Sequence, residues 1–600
     1  MSVGCTTTGT WQGRCPEVLG GRVTVSFAVS EITFLDGTVV IPPASGMTLF
    51  IGPNNCGKTA LLRELAPRVT NPAALQHAPL WIRQVLSSHE GSAEDFLLWA
   101  KERGHRSFDV YGEKHLRGGS NAAGSLAESD AKNWWTLGEY DHLQSLLVTA
   151  QWTDRRLQGR SDAQRWDHAE PAAEPVQFLY EDPALLKAFA AYTREAFGEE
   201  ISVDWTVPGL QLRVGTTGIP DVTPPTPELV TAYRQLPPLV TQGDGFRAFV
   251  EILLNTVLRP TPVVVIDEPE AFLHPPQARL LGRILAQLPG QTQVFVATHS
   301  ADFLAGVLDA SESRPLSLIR LDRSGDQPRA RALAPEDVAD LLRIPLLRYS
   351  NIISGLFYDR AVLCESEGDC QFYAAAFDAT RDDSAAHENT IFLHTGGKAR
   401  LADTARRLRH CGIPTAVVAD LDLLNDHGTV KRAVNALGGD IAPLTPDVKT
   451  LNDHANGQRI IPTIEGFRKE VTSVLTGSGN APLTEQMTDR IKSLLKGTSG
   501  WGALKRSGLS ALSGDEYTAA DRLLNATASL GLFLVPCGEL ESWVRKIPSS
   551  NKQNWLAEVF NTGEYTNPST DLQSFCQKIR DFLKQPVKDI ATNPTTADPS

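Results

Sequence analysis

The sequence predicts an α/β protein in which two parallel-sheet units follow one another along 600 residues. Three observations carry that expectation. The apolar run Met47-Thr48-Leu49-Phe50 meets a glycine-bounded loop and then the helix-forming Ala60-Leu61-Leu62-Arg63-Glu64-Leu65. A second apolar run, Pro262 to Ile266, stops at Asp267-Glu268. From Asp359 onward, short apolar segments alternate with helix-forming ones, and acids stand where the apolar segments end. Uniformly apolar strands that stop at polar residues are expected of buried parallel sheets.

A chain of this length is too long for one core, so two to four domains are expected. Lys and Arg total 57 against 70 Asp and Glu, a formal charge of −13. That excludes a uniformly basic nucleic-acid coat while permitting a local basic groove. The eight cysteines, at 5, 15, 56, 364, 370, 411, 537 and 576, form no C-x-x-C pair and no Cys/His zinc spacing. They read as reduced thiols rather than a disulfide frame. The first residues lack a basic-then-apolar leader, and no run of about 18 apolar residues occurs, so the expected location is cytoplasmic, with no membrane partner.

Taken in order, residues 1–20 are Thr/Gly-rich and expected to be a flexible N-terminus. Val23–Val29 and Glu31–Leu35 read as strands, with Asp36-Gly37 as the following turn. Gly52-Pro53-Asn54-Asn55-Cys56-Gly57-Lys58-Thr59 then fits G-x-x-x-x-G-K-[ST]. Between a strand and a helix, such a loop turns backbone N–H groups onto phosphate oxygens, and the helix N-terminus adds partial positive charge. Gly52, Asn54, Asn55, Gly57, Lys58 and Thr59 are the candidate nucleotide contacts. Lys58 would reach the β- and γ-phosphates, and the Thr59 hydroxyl would ligate Mg²⁺.

Residues of about 70–195 read as a largely helical insertion, rich in Trp, Ala and Leu, with paired arginines closing Gln151–Leu157 and an amphipathic helix over Tyr180–Phe197. Ile201–Trp205 and Leu210–Val214 alternate like strands. No sustained heptads appear, which excludes a head built on a long antiparallel coiled coil. Gly243-Asp244-Gly245 feeds a helix over Phe249–Leu258. Asp267 would hold Mg²⁺, and Glu268 would polarise the water that attacks the γ-phosphate. A third apolar strand ends in Thr298-His299-Ser300.

Together these pieces resemble an ABC-type ATPase head over about 21–345, with Gln242 standing where Ser is usual. The resemblance implies that Gly243 and Gly245 of one protomer close over the nucleotide of another. It further implies that His299 senses the γ-phosphate and that the protein is a homodimer or higher homo-oligomer binding ATP.

The second unit is expected over 346–585. Its strand ends bring Glu365, Asp369, Asp420 and Asp422 to one edge. Acids gathered there repel one another without cations, and hard oxygen ligands select Mg²⁺ or Mn²⁺. Residues of about 425–530 form a helical insertion carrying Arg490, Lys492, Lys496, Lys505 and Arg506 around Gly500-Trp501-Gly502. Basic residues beside an exposed aromatic suit a DNA backbone, and a merely solvated helical face has the same composition. The strand Leu530–Pro536 leads to Glu539 and Glu541, candidates for a second metal position, and to Lys546, a candidate to steady charge on a phosphate. The polar tail, 586–600, is expected to be disordered.

A Glu after the first strand and a later D-x-D resemble the TOPRIM domain, although Ser366 replaces the usual Gly and glycine is displaced to 368. An ABC-type head followed by TOPRIM resembles the OLD (overcoming lysogenization defect) family of ATP-dependent nucleases, the group that includes the Gabija nuclease subunit. The resemblance covers roughly residues 20–550. It implies an ATP-regulated, divalent-metal-dependent DNA endonuclease, cleaving or nicking, in bacterial anti-phage defence, with DNA and a second defence-system subunit as partners. Catalysis would fall to Glu268 and His299 in one half, and to Glu365, Asp420 and Lys546 in the other. Ser366 keeps a second reading open, an ATP-switched regulatory or DNA-binding protein whose TOPRIM domain does not cut. A transporter ATPase is disfavoured, because it would leave the acidic second unit unexplained.

Overall fold

The computed structural model describes residues 25–333 and 351–585, apart from internal breaks of at most eight residues. The expected N-terminus at 1–20, the link near 345, the tail at 586–600, and Arg490, Lys492 and Lys496 lie outside the described residues.

The two strands expected before the loop are one strand, β1 (Ser26–Phe34), with a register slip between Val29 and Glu31. It pairs with β2 (Val39–Val40) across the Asp36-Gly37 turn. Chain order then gives β3 (Met47–Ile51), helix α1 (Lys58–Arg68), β4 (Ile82–Glu90) and β5 (Val148–Gln151). After these come α2 (Asp244–Thr256), β6 (Val263–Asp267), α3 (Pro275–Ala286), β7 (Gln293–Ala297), α4 (Ala301–Asp309), β8 (Leu316–Ser324) and β9 (Gln327–Leu333). The central sheet has the order β9-β8-β3-β7-β6-β5 and is parallel except for β9. Every residue of β3, β6 and β7 is buried. Their matched register sets Phe50, Asp267 and Ala297 level, so the loop, the Asp-Glu pair and His299 leave the sheet at one edge.

The stretch expected to be a helical insertion is more mixed. It contains β4, the antiparallel hairpin Ser107–Val110 with Glu113–Arg117, and β5, which closes one edge of the central sheet. The four residues of β5, Val-Thr-Ala-Gln, are too few to show a period and directly follow the Leu-rich helix-forming segment, so only the pairing with β6 identifies them as a strand. The expected helix from Tyr180 is broken at Asp182, whose carboxylate accepts from the amides of Ala184 and Leu185 and starts a new helix at Pro183.

A second sheet follows, with β10 (Arg360–Cys364), α5 (Glu367–Ala379), β11 (Thr390–His394), α6 (Lys398–His410), β12 (Thr415–Ala419), α7 (Gly500–Ser507) and β13 (Leu532–Leu534). Its order is β11-β10-β12-β13, all parallel. The largely helical segment between β12 and β13 includes α7, and α8 (Lys552–Thr562) comes after β13. Trp501, expected to be exposed among basic residues, is 6% exposed and belongs to the core.

One buried apolar cluster includes Leu49 and Ile51 of the first sheet, Ile352 and Leu356 of the short helical turn before β10, and Leu363 and Val417 of the second sheet. A polar joint accompanies it. Arg320, 2% exposed and opposite Ile51 in the sheet, donates to the carbonyls of Tyr358 at 3.1 Å and Gly412 at 3.3 Å. Arg331 on β9 donates to the His410 carbonyl at 3.3 Å. The C-terminal end of α6 is thus held by the first sheet. Among the described residues, no helix is long and apolar enough to cross a membrane.

Candidate functional site

The glycine-bounded loop requires its glycines. Gly52 (φ 149°) and Gly57 (φ 100°) are left-handed. A Cβ would stand 2.3 Å from the Leu321 carbonyl at the first and 2.7 Å from Trp81 Nε1 at the second. Asn54 and Asn55 are exposed, Asn55 with φ 63°. Buried Lys58 folds back so that Nζ donates to the carbonyls of Gly52 (3.0 Å) and Pro53 (2.8 Å), within the loop. The Thr59 hydroxyl donates to Asp267 at 2.9 Å, bringing together the two groups expected to hold one cation.

Glu268 adopts φ 44°, a conformation costly for a side chain of this kind. His299 Nδ1 lies 3.2 Å from Glu268 and 3.3 Å from Glu270. The hydrogen bond from His299 holds the Glu268 carboxyl below its ordinary range, against burial, while the same bond and the charge of Glu270 raise the imidazole pKa. Gly243 caps α2, which starts at Asp244, five residues before the expected Phe249. Gly245 lies in its first turn, where a Cβ would meet the Phe272 carbonyl at 2.6 Å. The start of α2 therefore packs directly on the turn after the acids.

Sequence reasoning missed four residues here. Buried Glu270 accepts from the Thr298 hydroxyl at 2.8 Å and the His299 amide at 2.9 Å. Arg156 donates to the carbonyls of Asp267 and Glu268, the second at 2.7 Å, and the Thr153 hydroxyl bonds the Asp267 carbonyl at 2.9 Å. Gln151 ends β5 beside Ile266, buried, and both amide atoms lack a hydrogen-bond partner among the described residues. The signals were weak: the paired arginines after β5, one of which is Arg156, and the short acidic turn after β6 that holds Glu270.

In the second unit, β10 and β12 are adjacent and parallel, so Glu365 and Asp420, each one residue past its strand, emerge side by side. Oxygens of Glu365, Asp420 and Asp422 lie within 4.8 Å of one another. Burial and the neighbouring Asp420 push the Glu365 carboxyl up to about 7. Burial, joined by Asp369, pushes Asp420 up to about 6. Burial works against Asp422 too, but the bond from Lys398 overrides it and holds the carboxyl low.

Asp369 stands outside this triad. It accepts from the amide and hydroxyl of Ser366 at the start of α5 and pairs with Lys552 at 2.6 Å. Glu539 and Glu541 also lie outside it, and Glu539 is 3.8 Å from Lys505. Lys546, expected at the phosphate, pairs with Glu564 instead, and its side chain is 80% exposed. The lysines that touch the acids are Lys398 (on Asp422 and, at 3.9 Å, Glu365), Lys505 and Lys552. Lys398 and Lys552 were missed because they come from distant elements, while Lys505 was named only as a candidate DNA-backbone contact and not as a partner of the acids. The five carboxylates in contact with these three ammonium groups carry a formal excess of two negative charges, which one divalent cation balances. The all-oxygen triad and its crowded, raised carboxyls fit such an ion. Ser366 has φ −135°, ordinary extended backbone, so this position does not demand glycine.

Two family models match the chain: "AAA domain, putative AbiEii toxin, Type IV TA system" over residues 230–305, and "Overcoming lysogenization defect protein-like, TOPRIM domain" over 356–422. The first spans Gly243, Asp267, Glu268, Glu270 and His299, and the second spans Glu365, Asp369, Lys398, Asp420 and Asp422. Similar solved structures include the Smc head domain with an extended coiled coil bound to the C-terminal domain of ScpA, derived from Pyrococcus furiosus, at 9% identity, covering 53% of this chain and 99% of that one, TM-score 0.31. Others are the SMC head domain from Thermotoga maritima (14% identity, 52% and 99% covered, TM-score 0.25) and a bacterial Atm1-family ABC exporter with ATP bound (10%, 54% and 41%, TM-score 0.23). No curated relative matches the chain. The chain thus matches an AAA-domain model and, further along, an OLD-like TOPRIM model, an ATPase–TOPRIM order similar to that of OLD-family proteins.

Proposed function

We propose that the protein is an ATP-regulated DNA endonuclease that uses Mg²⁺ or Mn²⁺, works as a homodimer or higher homo-oligomer, and serves bacterial anti-phage defence in the cytoplasm. The observation that carries this reading is the triad of Glu365, Asp420 and Asp422 at the ends of adjacent parallel strands. A divalent cation held there supplies charge neutralisation at the scissile phosphate and a more acidic water. Glu365 and Asp420, whose carboxyls burial pushes up, would release any bound proton as the cation takes their oxygens, so metal affinity should rise with pH.

In the head, Lys58 and the loop amides hold the phosphates, while Thr59, Asp267 and Gln151 supply oxygens for the nucleotide's cation. Glu268 orients the attacking water, and His299 is fixed for its part by Glu268 and Glu270. The α2 start of a second protomer, with Gly243 and Gly245, closes over the nucleotide. A second defence-system subunit and the likeness to the Gabija nuclease belong to the same reading.

The test is Asp420→Ala. Plasmid cleavage should vanish while ATP hydrolysis stays within about twofold, and cleavage retained by this variant would sink the site assignment. The alternative is a TOPRIM domain that does not cut, a reading that rests on Ser366 in place of Gly; Ser366 has ordinary extended backbone, and the same plasmid assay on the wild-type chain separates the two.

A further inference from the structure

The insertion between β12 and β13 lies outside the residues that match the TOPRIM model, yet it is built into the carboxylate site. Helix α7 approaches the loop after β13 so closely that the backbones touch. At Gly538 (φ 106°) a Cβ would be 2.1 Å from the Lys505 carbonyl, and at Gly508 (φ 57°) one would be 2.1 Å from the Pro536 carbonyl. The Leu509 amide donates to Pro536, and the Ser542 hydroxyl donates to the Arg506 carbonyl, both at 2.9 Å. The Leu421 amide donates to Gly538 at 2.9 Å, tying the same loop to the D-x-D turn.

This docking delivers Lys505. Its Nζ lies 3.2 Å from Asp422, 3.5 Å from Asp420 and 3.8 Å from Glu539, and its side chain is 37% exposed. Lys552, by contrast, is committed to Asp369 at 2.6 Å, and Lys398 is in close contact with Asp422. Lys505 is thus the ammonium shared most widely among the acids and held most loosely by any one.

We propose that Lys505 is a phosphate-binding residue of the nuclease site, contributed by the insertion, whose ammonium takes a backbone phosphate of the DNA strand to be cut. This rests on the reading of the site as a metal-dependent nuclease. A divalent cation on Asp420 and Asp422 would neutralise much of the charge that holds Lys505 and would repel its ammonium. The ammonium then turns to the nearest remaining anion, the phosphate of the strand lying across the triad. A compact ammonium on a flexible stem suits that exchange of partners, since it demands no planar geometry.

The experiment uses the full chain with Lys505→Ala, Lys505→Gln and Lys505→Arg. Anisotropy of a labelled duplex in Ca²⁺ is followed across salt concentrations, Tb³⁺ luminescence reports the metal site, and plasmid cleavage is measured in Mg²⁺. Both neutral variants should weaken duplex binding about tenfold and make its logarithmic salt slope shallower by about one, with Arg restoring most of the loss. Tb³⁺ affinity should be unchanged or tighter. Unchanged duplex affinity and salt slope overturn the proposal, whatever happens to cleavage. So does a loss of Tb³⁺ affinity without loss of duplex binding, which would make Lys505 a scaffold for the carboxylates. If the wild-type chain binds Tb³⁺ but neither binds nor cuts duplex, the nuclease reading itself fails, and this proposal with it.

Discussion

His299 shows how a single side chain acquires its properties from what converges on it. The bond from Glu268 and the charge of Glu270 raise its pKa above the ordinary 6.5. The stability this contributes is complete below that ordinary value and is lost as pH rises through the raised folded one. Thermal stability should therefore fall on the alkaline side, and His299→Gln should remove that limb in melts between about pH 6 and 9. Glu268→Gln should lower ATP hydrolysis at least about a hundredfold while nucleotide binding survives, as filter binding beside a phosphate-release assay would show. Asp267, Glu268 and His299 were legible because apolar strands deliver them. Glu270 was not, since its partners Thr298 and His299 follow another strand and only folding brings them within 3 Å.

At the level of elements, parallel strands that end in polar residues announce themselves, and both sheets were legible for that reason. Short strands such as β5 were not, because pairing with β6 rather than composition makes them strands. The docking of α7 was equally hidden, resting on two left-handed glycines in separate segments, Gly508 and Gly538. Gly538→Ala combines backbone strain with a contact of 2.1 Å to a carbonyl. It should cost about 2 kcal/mol or more and lower Tm, with ATP hydrolysis kept and cleavage reduced. Equal loss of both activities would show that α7 serves the whole fold rather than the carboxylate site.

On the scale of the molecule, the first sheet and the second share an apolar cluster and the joint made by Arg320. Arg320→Met would leave the carbonyls of Tyr358 and Gly412 without that donor, a loss of about 2–4 kcal/mol measurable by urea unfolding. It should also weaken the effect of nucleotide on cleavage more than hydrolysis itself. No sequence pattern marked Arg320, because an arginine on a strand is ordinarily read as facing solvent. Helix α6 extends the joint, with His410 and the following Gly412 against Arg331 and Arg320, and Lys398 on the acids at its other end. Its thirteen residues span about 20 Å. A hydrogen-bonded helix resists compression along its axis, so a push at one end reappears at the other with little slack. An axial displacement of about one ångström is a full quarter of the 3.9 Å that separates Lys398 from Glu365. Under the proposed function, such a strut would carry a small stroke at the phosphates to the charge balance of the carboxylate site.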